Sequence, residues 1–445
     1  MAGKSASRLH LSADGLIRLI REGLEALDLP RPAQSQFSVA DAAMAAFAMF
    51  ALKDPSLLAF TQHSCDRNLQ ALYKLRRVPS DTQMRAILDE LPSHVLRPLF
   101  RGVFGQLQRG KVLEQYVCLD GSYLLSLDGT GYFSSDTIHC DSCLEKKHAD
   151  GTITYSHQML AAVIVHPDRR EVIPLCPEPI TKQDGTTKND CERAASKRLL
   201  RKMRKEHPHL SLILIEDGLG SNGPHVEDAI ELGLHFILGA KEGDHPTLFA
   251  EVFRRVENGD AAFHEFRDAT RQNVRHLFTI VRKVPLNASH PHLLVNFLDY
   301  KEITRGKKTG EEKVRQFTWV TDLVLNRARV WPVMRAGRAR WKIENETFNT
   351  LKNQGYHFEH NFGHGYKNLS VVFALLMMLA FLVDQALQLC DPLFGAALKQ
   401  LGSKRALWER MRSVFYEFRI RTLQELFAAL AYGHHRPRIR INDSS

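Results

Sequence analysis

At Tyr116 the spacing of apolar residues changes, and that change limits the folds open to this chain. Before it, apolar residues recur at helical intervals. GLIRLIREGLEALDL (residues 15–29) shows that spacing and stops at Pro30, and residues 40–52 read as an Ala- and Met-rich buried helix. VPSDTQMRAILDEL offers Ser80 as the N-cap of a further amphipathic helix. After Tyr116 come short apolar runs with strand character. YVCLD and YLLSLD, joined by Gly121–Ser122, read as a hairpin; QMLAAVIVHP and EVIPLCPEPI follow, with a turn near Pro167–Asp168. From about residue 190 the pattern alternates: a helix to Lys205, the strand LSLILIED, a helix after Pro224 and the strand LHFILGAKE. Strands first in meander and then alternating with helices predict an α/β domain with a mixed sheet.

Strand patterning returns between about 261 and 323, in HLFTIVRKV, HLLVNFLDYKEI and KVRQFTWVTDL, with the charged turn RGKKTGEEK between the last two. Helices resume at Val324. A chain of 445 residues is too long for one core, and two to three domains are expected. The expected division is a helical domain at 1–110, the first part of a catalytic core at 111–260, a β-rich insertion at 261–323, and the rest of the core at 324–395. C-terminal helices and the basic tail HHRPRIRINDSS occupy 396–445. Arg67, Lys74, Arg76 and Arg77 add positive charge to the N-terminal helices, which read either as a DNA-binding domain or as a solvated helical face.

Sixty Lys and Arg against fifty Asp and Glu leave a net charge of +10 and favour a polyanionic partner, nucleic acid first and a membrane surface second. The seven cysteines are scattered apart from Cys140 and Cys143, and residues 1–9 carry no secretory pattern, so a reducing cytoplasm is expected. VVFALLMMLAFLV (residues 371–383) is shorter than the ~20 residues a membrane span needs, and reads as a buried core helix.

Three carboxylates stand out. YLLSLDGTG and LILIEDGLGSN each end an apolar run in Asp-Gly, at Asp128 and Asp217, and glycine there lets another group come close to the carboxylate. Parallel neighbouring strands would place both at one sheet edge, and a divalent cation is the usual reason to hold two carboxylates together. The third lies in ARWKIENETFNTLKNQGY. Wound as a regular α-helix, this stretch puts Glu344 on an apolar stripe with Trp341, Phe348 and Leu351, facing the protein interior. Glu346 falls on the opposite face beside Lys342. Hard oxygen ligands suit Mg²⁺ or Mn²⁺ better than zinc.

These blocks resemble the DDE transposases of bacterial insertion sequences, in the group with a Tyr-Arg-Glu-Lys signature. LDGTGYFSS resembles the block around the first acid, IEDGLGSN the second and RWKIENETFNTLK the third, over roughly residues 110–395. The separations of 89 residues (128 to 217) and 127 residues (217 to 344) are similar too. Carried over, the match gives Asp128, Asp217 and Glu344 as catalytic metal ligands for Mg²⁺ or Mn²⁺, and Arg340 and Lys352 as DNA contacts. Two departures are specific. Gly337 stands where the group has Tyr, and Lys352 follows Glu344 by eight residues where the family has seven. The resemblance implies an RNase H-like core with the β-rich insertion between second Asp and Glu. It also implies strand cleavage and transfer on double-stranded DNA at element ends and target, with a homodimer in the DNA complex, at the nucleoid of a bacterial cytoplasm and without a membrane partner. An RNase H-like nuclease or resolvase that cleaves without joining is the nearest alternative. A non-catalytic DNA-binding repressor is the other.

IHCDSCLEKKHADGTITYSH contains a second candidate metal site. Cys140 and Cys143 form a Cys-x₂-Cys half-site for structural Zn²⁺, with His148 and His157 as further ligands. A polar loop with reduced thiols is the alternative reading. His225 and His245 follow core strands, and the aromatic residues of FEHNFGHGY (358–366) follow the Glu344 segment.

Overall fold

The computed structural model describes residues 10–27, 36–185, 188–268, 270–306 and 310–433. The basic tail 434–445, residues 1–9, the helix stop at Pro30 and the centre of the turn RGKKTGEEK lie outside them. The chain divides into two compact units, Leu113–Phe348 and Met1–Val112 with Asn349–Ser445.

The Leu113–Phe348 unit is α/β. Its strands are β1 (Tyr123–Ser135), β2 (Leu144–Lys147), β3 (Ile153–Val165), β4 (Ile173–Pro174), β5 (Glu178–Ile180), β6 (Leu212–Glu216), β7 (His235–Gly239), β8 (Ala262–Arg267), β9 (Val274–Pro285), β10 (Leu294–Arg305) and β11 (Glu312–Thr321). They form one mixed sheet in the order β2-β3-β1-β6-β7-β11-β10-β9-β8, with β4 and β5 also on β3. β1 lies antiparallel to β3 and parallel to β6, and β6 is parallel to β7. All five residues of β6 are buried, as expected of a parallel strand covered on both faces. Prolines 174, 177 and 179 keep β4 and β5 short, since proline cannot donate to a ladder. Helices Lys188–Glu206, Gly223–Glu231 and Pro246–Glu257 follow β5, β6 and β7. Asn222 caps the second of these, its side chain accepting from the His225 N–H, and Pro224 sits in the first turn where no N–H is missed.

Two expectations are corrected here. YVCLDGSYLLSLD is no hairpin: Leu113–Tyr116 and Leu119–Gly121 are single 3₁₀ turns, and one bridge joins Val117 to Tyr123. Asp120 (φ 50°) and Gly121 (φ 76°) are both left-handed, which coils the chain instead of extending it. Nor do residues 261–323 stand apart. β8 to β11 continue the core sheet, because β11 pairs antiparallel with β7 through Trp319 and Gly239. Without β11 the β7 edge would present unpaired N–H and C=O groups.

The other unit is helical among its described residues. Helix Leu369–Cys390 is long and apolar enough to cross a membrane (mean hydropathy 2.1), but 94% of its most apolar window is buried inside the protein. It packs on helix Val39–Leu52, whose residues are also almost all buried. At the end of that second helix Lys53, left-handed at φ 60°, turns its ammonium into the core, 2.5 Å from the Asp384 carboxylate. The Tyr356 hydroxyl donates to the same carboxylate at 2.6 Å, and Lys53 lies over the Trp408 ring. Burial lowers the Lys53 pKa and raises that of Asp384, against the attraction of each for the other. Ser80 does cap helix Asp81–Asp89, in a reciprocal pair with Gln83. The five-part division thus differs from the observed one. The N-terminal helices share a unit with residues 349–445, and the break falls directly after Phe348.

Candidate active site and metal centre

β1 and β6 run parallel with Ser126 opposite Ile215. Two residues further along each chain stand Asp128 and Asp217, so the register carries the two carboxylates to one level on strands about 4.8 Å apart. Each is tied to its own loop. Asp128 Oδ1 accepts from the Gly129 N–H at 2.9 Å, and Asp217 Oδ1 from the Leu219 N–H at 3.0 Å. Both line a cavity of about 550 Å³ together with Glu192, Lys241, Asp244 and His245. It lies beyond the carboxyl ends of β6 and β7, where open α/β sheets place their ligands.

Glu344 reaches Asp128 through an arginine. Arg340 Nη1 is 2.7 Å from Glu344 Oε1 and 3.6 Å from Asp128 Oδ2. The Arg340 carbonyl accepts from the Ser126 hydroxyl of β1 at 3.3 Å, which fixes this segment to the strand that carries Asp128. Burial pushes the Asp128 carboxyl up, Arg340 pulls it down, and Glu344 and Asp217 push it up, to about 7 in all. Both other acids therefore act on Asp128.

The route to Glu344 differs from the expected one. The segment is not a regular helix: α-helix Val330–Arg338 tightens to 3₁₀ at Ala339–Trp341 and widens to a π-helix at Ile343–Phe348. That winding abolishes the 3.6-residue phase used to draw the stripe. Phe348 and Leu351 are buried as expected, but Trp341 is 43% exposed, and Ile343 and Thr347 face inward in its place. Glu344 does not face an apolar core, since half of its side chain is exposed. Glu346 is the less exposed of the two, at 17%, and its nearest cation is Arg170 at 3.9 Å. Lys342 forms no exposed pair with Glu346; it is buried and donates to the Arg169 carbonyl. Lys352, on the helical side of the unit break, pairs with Glu359 at 2.7 Å.

Gly337 has a local cause. A Cβ there would lie 2.7 Å from Trp319 Nε1 and 3.1 Å from Ile237 Cγ2, so Trp319 fills the space a larger residue would need.

Of the cavity residues, Glu192, Lys241 and Asp244 escaped the sequence reading, whereas His225 and His245 were noted there as following core strands. Glu192 sits on the lysine- and arginine-rich helix Lys188–Glu206, where nothing in the pattern sets it apart, yet its Oε1 would be 2.7 Å from a Cβ on Gly129. His245 lines the cavity and is buried, which lowers its pKa. His225 is buried under the Asp217 loop, with Nε2 2.7 Å from Glu216 Oε2. Burial disfavours its imidazolium, but Glu216 outweighs burial and raises the His225 pKa.

The second cluster lies at the far end of β1. Cys140 Sγ, Cys143 Sγ and His157 Nε2 are within 3.8 Å of one another, a group that could hold a metal ion. His148 is not part of it: exposed, it meets the Thr154 hydroxyl at 2.8 Å. Five residues separate the end of β2 from the start of β3, and His148 falls in that turn while His157 points in from the strand.

Arg67, Lys74, Arg76 and Arg77 are all exposed. In FEHNFGHGY, Phe358 and Phe362 are buried, the latter edge-on to Phe50, whereas Tyr366 is 84% exposed.

The chain matches no model of a known protein family and no curated protein.

Proposed function

We propose that this chain is a DNA transposase of the DDE type, acting on the ends of its own element. The observation that carries the reading is the meeting of Asp128 with Glu344 through Arg340, and with Asp217 beyond the last pair of a parallel strand ladder. A central β1 with antiparallel β3 on one side and parallel β6 and β7 on the other supports an RNase H-like core. The π-helix supports the third block. A π turn takes up one residue more than an α turn, the same one residue by which Glu344 to Lys352 exceeds the family spacing.

The donor set fits Mg²⁺ or Mn²⁺. It is all carboxylate oxygen, and Asp128 is raised to about 7 partly because the other two acids repel its charge, which a cation relieves. When bound, such an ion supplies Lewis-acid activation of a water or 3′-hydroxyl and stabilises the leaving oxygen. Asp128, Asp217 and Glu344 would hold it. Arg340 positions Glu344 and, with Lys241 beside the cavity, offers charge to a phosphate. Double-stranded DNA is the partner, met by a homodimer in the cytoplasm of a bacterium.

The test uses duplexes carrying the sequences that flank the reading frame, with Mg²⁺ or Mn²⁺. Nicking at the repeat ends followed by joining of the 3′-hydroxyl to a target is expected. Asp128→Ala and Asp217→Ala should each lose more than about a thousandfold in cleavage and keep gel-shift binding nearly intact. Cleavage without joining would favour the nuclease or resolvase. Binding without cleavage by the unmodified chain would leave a repressor.

A further inference from the structure

We infer that Cys140, Cys143 and His157 bind one Zn²⁺ that ties the loop after β1 to strand β3. The inference is independent of the reaction proposed above and rests on three distances. In a tetrahedral zinc site, Zn–S of about 2.3 Å and Zn–N of about 2.0–2.1 Å put two sulfurs about 3.8 Å apart and a sulfur and nitrogen about 3.5 Å apart. The observed separations are 3.8 Å for Cys140 Sγ to Cys143 Sγ, and 3.5 and 3.4 Å from these to His157 Nε2. All three edges of one tetrahedral face are present.

The surroundings have the same character. Cys140 and Cys143 flank a tight turn in which the Cys143 N–H donates to the Cys140 carbonyl at 3.1 Å. The Cys140 N–H donates to Cys143 Sγ at 3.4 Å, a contact that favours a thiolate. A disulfide would need the sulfurs at about 2.05 Å, well inside their observed separation. Cys143 and His157 are buried, and His157 stands opposite Phe133 of β1 with the Tyr132 ring stacked beside it. Two thiolates and an imidazole are a soft set that prefers zinc to Mg²⁺ or Mn²⁺. A fourth donor completes the tetrahedron. The ion is structural: it closes the segment between Ser135 and Leu144, which lacks a strand partner of its own, onto a strand buried in the sheet.

The full chain purified without chelator should carry about one zinc per molecule, and X-ray absorption at the zinc edge should show two sulfur neighbours and at least one nitrogen. His157→Ala and the Cys140→Ser/Cys143→Ser pair should each lower zinc content more than about tenfold, while His148→Ala keeps it. Should the cysteine variants fail to fold, Co²⁺ added to the unmodified chain decides the matter through a thiolate-to-cobalt charge-transfer band. No such band, or less than about a tenth of a zinc per chain after incubation with Zn²⁺ and removal of the excess, overturns the site. So does full zinc content in a folded His157→Ala variant.

Discussion

Arg340 holds Glu344 by a 2.7 Å ion pair, and the same guanidinium nitrogen lies 3.6 Å from Asp128. One cation therefore serves two acids that would otherwise repel each other. Its distance to Asp128 is within the range where an opposite charge lowers a carboxyl pKa by about 1–3 units. Replacing Arg340 with Ala should raise the Asp128 pKa above about 7 in the chelator-treated protein, read from the titration of its carboxyl signal by NMR. An unmoved Asp128 titration beside lowered cleavage would show that Arg340 acts on DNA alone.

Glu344 and Glu346 are separable by a pair of isosteric changes. Glu344→Gln removes a proposed ligand and should cost more than about a thousandfold in strand cleavage. Glu346 is only 3.9 Å from Arg170, whose side chain is 85% exposed, so Glu346→Gln should keep most activity and shift stability by less than about 1 kcal/mol. A dead Glu346 variant beside an active Glu344 variant would reassign the third acid.

Asp128 should make the stability of the chelator-treated protein depend on pH. Its pKa is 3.8 unperturbed and about 7 when folded, mainly through burial. The folded chain thus favours the neutral carboxyl. That contribution is full below about pH 4, declines as pH rises, and is lost once pH passes about 7. The shift is worth at most about 4 kcal/mol, and water at the part-exposed carboxyl reduces this to about 1–3 kcal/mol. Denaturant midpoints in EDTA should therefore fall between about pH 5 and 8 more steeply for the native chain than for Asp128→Asn. Parallel curves would remove Asp128 as the titrating group.

Gly337 tests packing under the Glu344 segment. Alanine usually gains up to about 1 kcal/mol over glycine inside a helix, but here its Cβ would meet the Trp319 indole and Ile237. Overpacking of this kind costs about 1–3 kcal/mol, so Gly337→Ala should be net destabilising by about 1 kcal/mol in urea unfolding. Gly337→Tyr should be worse and should recover in part when combined with Trp319→Ala. Additive losses in the double variant would mean that the two positions do not compete for space.

The two Asp-Gly acids were legible because their signal is local, but only one of them ends a strand. Asp217 directly follows β6, as an apolar run that stops at Asp-Gly announces, whereas Asp128 lies inside β1, which stays paired with β3 to Ser135 and loses only its parallel pairing with β6 before Asp128. Ser80 was legible for the same reason, since a cap needs only its own first turn. Glu344 shows the limit. Its stripe assumed a constant 3.6-residue turn, and the passage through 3₁₀ to π winding shifts the phase by an amount that no residue in the segment declares. Likewise Cys140 and Cys143 are neighbours by spacing, but the choice of His157 over His148 depends on the β1–β3 register, which sends His157 inward opposite Phe133. The chain order alone determined which groups exist at strand ends and turns. Which of them meet was decided by strand pairing between residues far apart in sequence: Asp128 and Asp217 come level only because β1 and β6 pair in parallel with Ser126 against Ile215.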